Sequence, residues 1–262
     1  MSEIKQVNSP WSQLVLAFTL CLVVSFGVAC AGVGQEGSGA EHGEHDGVEG
    51  NDEEEHVHPA GEDIPKRADE IDRDEYSRPV EVYAFGGISS GDTVVDIGAG
   101  SGYNTFLLSG VVGSTGEVIT ERGNDGLAAR IQQGDLAEAG NVTMAESRAA
   151  IPSGSADAIV LIREYHLVED YLGLMADLSR ILKDDGALVV VEVRSNEAEG
   201  HNMTTHRLGE QTVIAQFAEG GFTLAGESDI LRRDDDDYSI YGGPMSIRYI
   251  TDRMLMKFVK TP

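Results

Sequence analysis

Apolar and polar positions along this chain follow two periods in turn, and from residue 93 onward the changes of period set out a repeating order of strands and helices. Thr93-Val94-Val95-Asp96-Ile97 is β-branched and apolar, which predicts a strand, and residues 103–112 carry apolar spacing that predicts a helix. Residues 117–120 predict a second strand ending at Glu121, and residues 141–144 a third. Residues 157–162 form a near-continuous apolar run, as expected of a strand buried on both faces of a parallel sheet. After it, Val168, Tyr171, Leu172, Met175, Leu178 and Leu182 recur at helical spacing and predict a helix packed on that sheet. A fifth strand is expected over 187–192 and a helix from about 204 to 219, stopped by Gly220-Gly221. Strands near 222–231 and 253–259 would complete a Rossmann-like α/β domain: a seven-stranded, mostly parallel sheet with an antiparallel last strand and helices on both faces.

Candidate chemistry concentrates where the first strand meets its helix. Asp96-Ile97-Gly98-Ala99-Gly100-Ser101-Gly102 sets three glycines in alternation at a strand-to-helix junction, where open α/β sheets hold ligands. A dinucleotide fingerprint needs G-x-G-x-x-G, and here Tyr103 stands where its last glycine belongs, which disfavours NAD. Glu121 lies about 20 residues beyond the turn, where nucleoside-binding folds place an acid against the ribose hydroxyls. The competing readings are a tight turn without a ligand and an ordinary solvated Glu at a strand end.

Asp-x-Gly-x-Gly-x-Gly resembles the first motif of class I S-adenosylmethionine-dependent methyltransferases, and Arg180-Ile181-Leu182-Lys183-Asp184-Asp185-Gly186 resembles the turn before their fifth strand, with Asp185 replacing a usual Gly. Arg78-Pro79-Val80-Glu81, Glu164-Tyr165-His166, Glu192-Val193-Arg194 and the ending from Asp252 to Lys260 resemble a bacterial family of predicted, often exported methyltransferases. The resemblance implies S-adenosylmethionine as cofactor, bound by Asp96, Gly98, Ala99, Gly100, Gly102, Tyr103, Glu121 and, on the adenine side, Glu146. It also implies in-line methyl transfer to a small-molecule or peripheral acceptor, driven largely by orientation. That family carries a His between the Glu and Arg of the fifth-strand motif, where this chain has Val193. His166 and Glu164 are therefore the acid–base candidates if the acceptor must lose a proton, and the other reading of His166 is a structural histidine under the following helix.

Outside this domain the chain changes character twice. Residues 14–33 are an apolar run without a charge, preceded by Glu3 and Lys5, and read as an export signal or an uncleaved anchor. Cys30 after Gly27-Val28-Ala29 resembles a bacterial lipobox, so residues 1–30 are expected to be a lipoprotein signal or membrane anchor. No Lys or Arg follows until Lys66, which orients the domain outside the cytoplasm, facing the periplasm or the cell exterior. Residues 31–63 hold eleven acidic side chains and no basic one, a composition that predicts a disordered tether to a domain over 64–262. His42, His45, His56 and His58 lie in that tether without a closed ligand set, and no metal site is assigned.

The formal charge of −26 makes nucleic acid an unfavourable partner. The only cysteines are Cys21 and Cys30, so the domain has no thiol and no disulfide. Export sets the expected enzyme apart from a cofactor made in the cytoplasm. The alternative function is accordingly a noncatalytic envelope lipoprotein that uses a methyltransferase-like fold to bind a small ligand or partner.

Overall fold

The computed structural model describes residues 68–134, 139–239 and 250–262. The apolar run at 14–33 and the rest of the sequence before residue 68, the expected tether included, lie outside the described residues. Among the described residues no helix is long and apolar enough to cross a membrane.

Seven strands form one sheet: β1 (Thr93–Gly100), β2 (Glu117–Gly123), β3 (Val142–Met144), β4 (Ala156–Ile162), β5 (Leu182–Val193), β8 (Phe222–Ser228) and β9 (Arg253–Lys260). Their order is β3-β2-β1-β4-β5-β9-β8, with β1 through β5 parallel and β9 antiparallel to both of its neighbours. A two-stranded hairpin, β6 (His201–Asn202) with β7 (Arg207–Leu208), is bridged to the end of β5 through Leu208 and Arg194.

The period-2 pattern of β4 explains the layers. Ile159 and Leu161 face one apolar cluster with helices α5 (Tyr171–Ile181) and α6 (Glu210–Glu219), while Ala158 and Val160 face another with α2 (Pro79–Gly86) and α3 (Tyr103–Val112). All four residues are at most 3% exposed, the burial on both faces that a parallel sheet requires. Two further helices lie on the second side, α1 (Ala68–Ser77) and α4 (Asp125–Gln133). They are joined by a bidentate pair, Arg130 to Glu70 at 2.6 and 3.0 Å, with both side chains buried.

The structure corrects the sequence reading in several places. The helix expected from about 204 starts only at Glu210, because residues 201–208 turn back as the β6–β7 hairpin. That hairpin is anchored by Arg207, buried and bidentate to Asp236 at 2.8 and 3.0 Å, which buries Asp236 as well. Met175 and Leu178 are buried as expected, but Leu172 points outward from α5 at 46% exposure and Leu182 belongs to β5; Leu174 and Ile181 complete the buried face. The strand expected over 222–231 ends at Ser228, and Leu231 is buried beyond it.

Candidate active site

The site lies at the carboxyl ends of β1, β2, β4 and β5. Gly98, Gly100 and Gly102 all have left-handed φ, at 74°, 54° and 88°, so the alternating glycines answer a real backbone demand. Two bonds close the loop: Gly102 N–H donates to Ala99 O, and Asn124 N–H from the end of β2 donates to Gly100 O, each at 2.9 Å. A Cβ at Gly98 would lie 2.1 Å from Glu164 Cγ, whereas one at Gly100 would meet nothing closer than Gly98 O at 3.9 Å. Gly98 is thus shaped by a neighbouring side chain, and Gly100 opens toward space.

Beneath the loop, Thr105 Oγ1 donates to Asp96 Oδ2 at 2.7 Å and holds the start of α3 against β1. Asp96 is buried, and that burial raises its pKa to about 7; the Thr105 bond opposes the rise and Glu164 adds to it. Glu121 ends its run of buried strand residues with a carboxylate 7% exposed, whose Oε2 has no hydrogen-bond partner. Arg148 Nη1 is 3.8 Å from its other oxygen, and burial outweighs this and Arg122 to raise the Glu121 pKa. Glu164 is likewise raised by burial, against Arg122 at 3.7 Å, with Glu192 and Glu121 raising it further. Asp96, Glu121 and Glu192 each repel the Glu164 carboxylate, an acidic cluster beside the glycine loop. A cation placed there would relieve their mutual repulsion.

Glu192, at the end of β5, fixes the segment after β4. Its Oε1 accepts from Tyr165 N–H at 2.6 Å and His166 N–H at 3.3 Å, and its Oε2 lies 2.9 Å from His166 Nδ1. With Nδ1 engaged, the neutral His166 ring keeps Nε2 as its basic nitrogen. His206 stacks edge-on at 5.4 Å between centroids, and His201 is pushed below the ordinary histidine range by burial and by these two rings. Among the described residues no group of His, Cys, Asp and Glu could hold a metal ion.

The remaining expected residues divide. Ala99 is buried inside the loop, and Tyr103 walls a cleft under α1, its hydroxyl donating to Asp74. Glu146 is exposed after β3. Glu192 was not assigned to the site by sequence reasoning, although a signal existed: in parallel pairing, Ile162 aligns with Val191, which sets the residues that follow the two strands side by side. Arg73 of α1 and Arg253 of β9 line the same cleft as Tyr103; Arg73 had no sequence signal, and Arg253 stood only within the ending motif from Asp252 to Lys260.

A seven-stranded sheet of this order, with a glycine loop after β1 and an acid at the end of β2, is the Rossmann-like fold of class I S-adenosylmethionine-dependent methyltransferases. The methyltransferase-domain family matches residues 95–190. The chain is 32% identical over 119 residues to a ubiquinone/menaquinone biosynthesis C-methyltransferase UbiE of Marinomonas sp., a match covering 43% of this chain and 47% of that protein. The corresponding protein of Psychromonas ingrahamii is 32% identical over 111 residues, 40% of this chain and 44% of that one. The match thus spans less than half the length of these relatives. Among solved structures, a SAM-dependent methyltransferase from Aquifex aeolicus aligns with a TM-score of 0.55 at 18% identity, over 72% of this chain and 92% of that one. The glycopeptide N-methyltransferase MtfA complexed with S-adenosylmethionine aligns at 0.52 and 15% identity, over 71% and 94%. At those identities the likeness is one of fold.

Proposed function

We propose that this chain transfers a methyl group from S-adenosylmethionine to an acceptor while tethered to a membrane outside the cytoplasm. The observation that carries the cofactor is Glu121: a buried carboxylate oxygen without a partner, at the strand end beside an open glycine, is an acceptor awaiting a donor. Glu121 would take the ribose hydroxyls, and Gly100 would admit close approach of the ligand. Asp96 and Glu164 would face its positive charge, which the acidic cluster favours over an anionic dinucleotide. Bound there, S-adenosylmethionine supplies an electrophilic methyl carbon on sulfur. The chain's own part is to orient the acceptor, exclude water, and take up a proton at His166 Nε2 where the acceptor must lose one, with Glu192 holding the ring.

Export and tethering rest on the apolar run at 14–33, the lipobox-like Cys30, and the absence of Lys and Arg between that run and Lys66. Calorimetry with S-adenosylmethionine, S-adenosylhomocysteine and adenosine tests the cofactor. A reporter fused after Pro262, together with fatty-acid labelling of Cys30→Ser, tests placement. Reporter activity only in the cytoplasm, or labelling that survives Cys30→Ser, contradicts the tethered reading. Absence of any adenosyl binding leaves a noncatalytic ligand-binding module in its place.

A further inference from the structure

The described residues of this strongly acidic chain bring three guanidinium groups to one small cavity. Arg73 of α1, Arg163 just after β4 and Arg253 of β9 line it, and no acidic side chain does. Asn104, also on its wall, gives its side-chain oxygen to the Tyr83 hydroxyl, so what its amide has left to offer is N–H donors. The cavity is thus rich in donors and positive charge in a chain whose formal net charge is −26.

Arg253 is the informative member. It is 3% exposed, its guanidinium makes one hydrogen bond, to the carbonyl of Tyr76, and its Nε–H is buried without a partner. Among the described residues no carboxylate pairs with it. Burial lowers its pKa to about 10, and Arg163, Arg233 and Arg73 lower it further. Arg73 repeats the pattern: its guanidinium lies 3.3 Å from the Tyr103 ring centroid, and its Nε is buried without a partner. On α1, Glu70 is bound to Arg130 and Asp74 accepts from the Tyr103 hydroxyl. Buried cations of one sign with N–H donors to spare are a costly arrangement, which an anion relieves and a neutral water satisfies only in part.

The room available decides which anion. The cavity measures about 20 Å³, above the roughly 10–15 Å³ that one water needs, so it admits one small sphere and excludes the several heavy atoms of a carboxylate, nitrate or phosphate. A chloride ion is such a sphere, and it accepts N–H donors from any direction. We infer that this cavity is a chloride site, with a single ion held between the guanidiniums of Arg73 and Arg253. Bound there, the ion would join α1 to β9 electrostatically and stabilise the fold. The inference does not use the methyl-transfer reading, and its failure would leave that reading untouched.

Chlorine-35 line broadening by the full-length chain tests it, at constant ionic strength with gluconate making up the balance. Saturable broadening is expected, displaced by bromide at comparable concentration and by acetate only at a concentration at least tenfold higher. Arg253→Gln and Arg73→Gln should each weaken chloride binding at least tenfold, and replacing gluconate by chloride should raise the melting temperature of the wild-type chain but not of Arg253→Gln. No saturable broadening by the wild-type chain overturns the inference and leaves water as the occupant. Acetate displacing chloride as readily as bromide does also overturns it, because the ion then sits in a roomier place than this cavity. A folded Arg253→Gln chain that binds chloride like the wild type moves the ion elsewhere, and where the variants do not fold, the anion selectivity of the wild-type chain decides.

Discussion

Glu164 lies so closely over Gly98 that a Cβ on the glycine would come within 2.1 Å of the glutamate Cγ, while Gly100, two residues on, faces open space. One alternating motif therefore serves two purposes. Gly98 makes room for a carboxylate of the protein, and Gly100 leaves room for a ligand.

These roles separate by mutation. Gly98→Ala combines a left-handed φ with a steric clash and should lower stability by about 1–3 kcal/mol, the range for local backbone strain. Gly100→Ala should cost about 1–2 kcal/mol through φ alone, yet reduce S-adenosylmethionine affinity more than tenfold. Denaturant melts and calorimetry on both variants check this, and unchanged affinity in Gly100→Ala moves the ligand away from the loop.

Asp96 predicts a pH dependence. Its pKa in the fold is about 7, raised from an ordinary value near 3.8, so the folded protein holds a proton that the unfolded chain releases. That contribution to stability is fully present below about pH 4 and is lost as pH rises through 7, with a slope of at most about 1.4 kcal/mol per pH unit. A cation bound beside Asp96 favours the carboxylate, so S-adenosylmethionine affinity should rise with pH up to about 7 and level off above it. Asp96→Asn should flatten both profiles, and an unchanged pH profile in that variant removes Asp96 from the site's electrostatics.

The Glu70–Arg130 pair ties α1, the roof of the arginine cleft, to α4. Both groups are buried, so Glu70→Gln leaves a charge uncompensated and should cost about 3–5 kcal/mol by chemical denaturation. Replacing both residues by Met should recover most of that loss. If Glu70→Gln melts like the wild-type chain, the pair does not hold the roof.

His166 should carry its neutral proton on Nδ1, against Glu192, and leave Nε2 unprotonated. Nitrogen-15 chemical shifts distinguish the tautomers directly. An Nε2–H tautomer in the wild-type chain rules out His166 as the base proposed here.

The glycine turn, the place of Glu121 on the second strand and the succession of strands along the chain were legible in the sequence because each depends on local pattern or on fixed spacing along a βαβ unit. Glu192 was only half legible, since its place beside His166 comes from the pairing of β4 with β5 rather than from its own neighbourhood. That Arg73 and Arg253 share one cleft was not legible: they lie far apart in sequence and come together only through the fold. α1 itself is charge-rich, Ala-Asp-Glu-Ile-Asp-Arg-Asp-Glu-Tyr-Ser, and is anchored by the tertiary pair between Glu70 and Arg130. The false helix start near 204 has the same kind of cause, because the long-range pair of Arg207 with Asp236 draws those residues into a hairpin.

The central claim is that Glu121 is a ribose acceptor left unpartnered for a nucleoside cofactor. Calorimetric titration of S-adenosylmethionine into wild-type and Glu121→Ala chains tests it most directly. The variant should lose about 1.5–3 kcal/mol of binding free energy, as for a hydrogen bond to a charged group, and keep the wild-type melting temperature, because Glu121 Oε2 bonds nothing in the protein. Equal affinity of the two chains for S-adenosylmethionine, or no binding by the wild-type chain, contradicts the account.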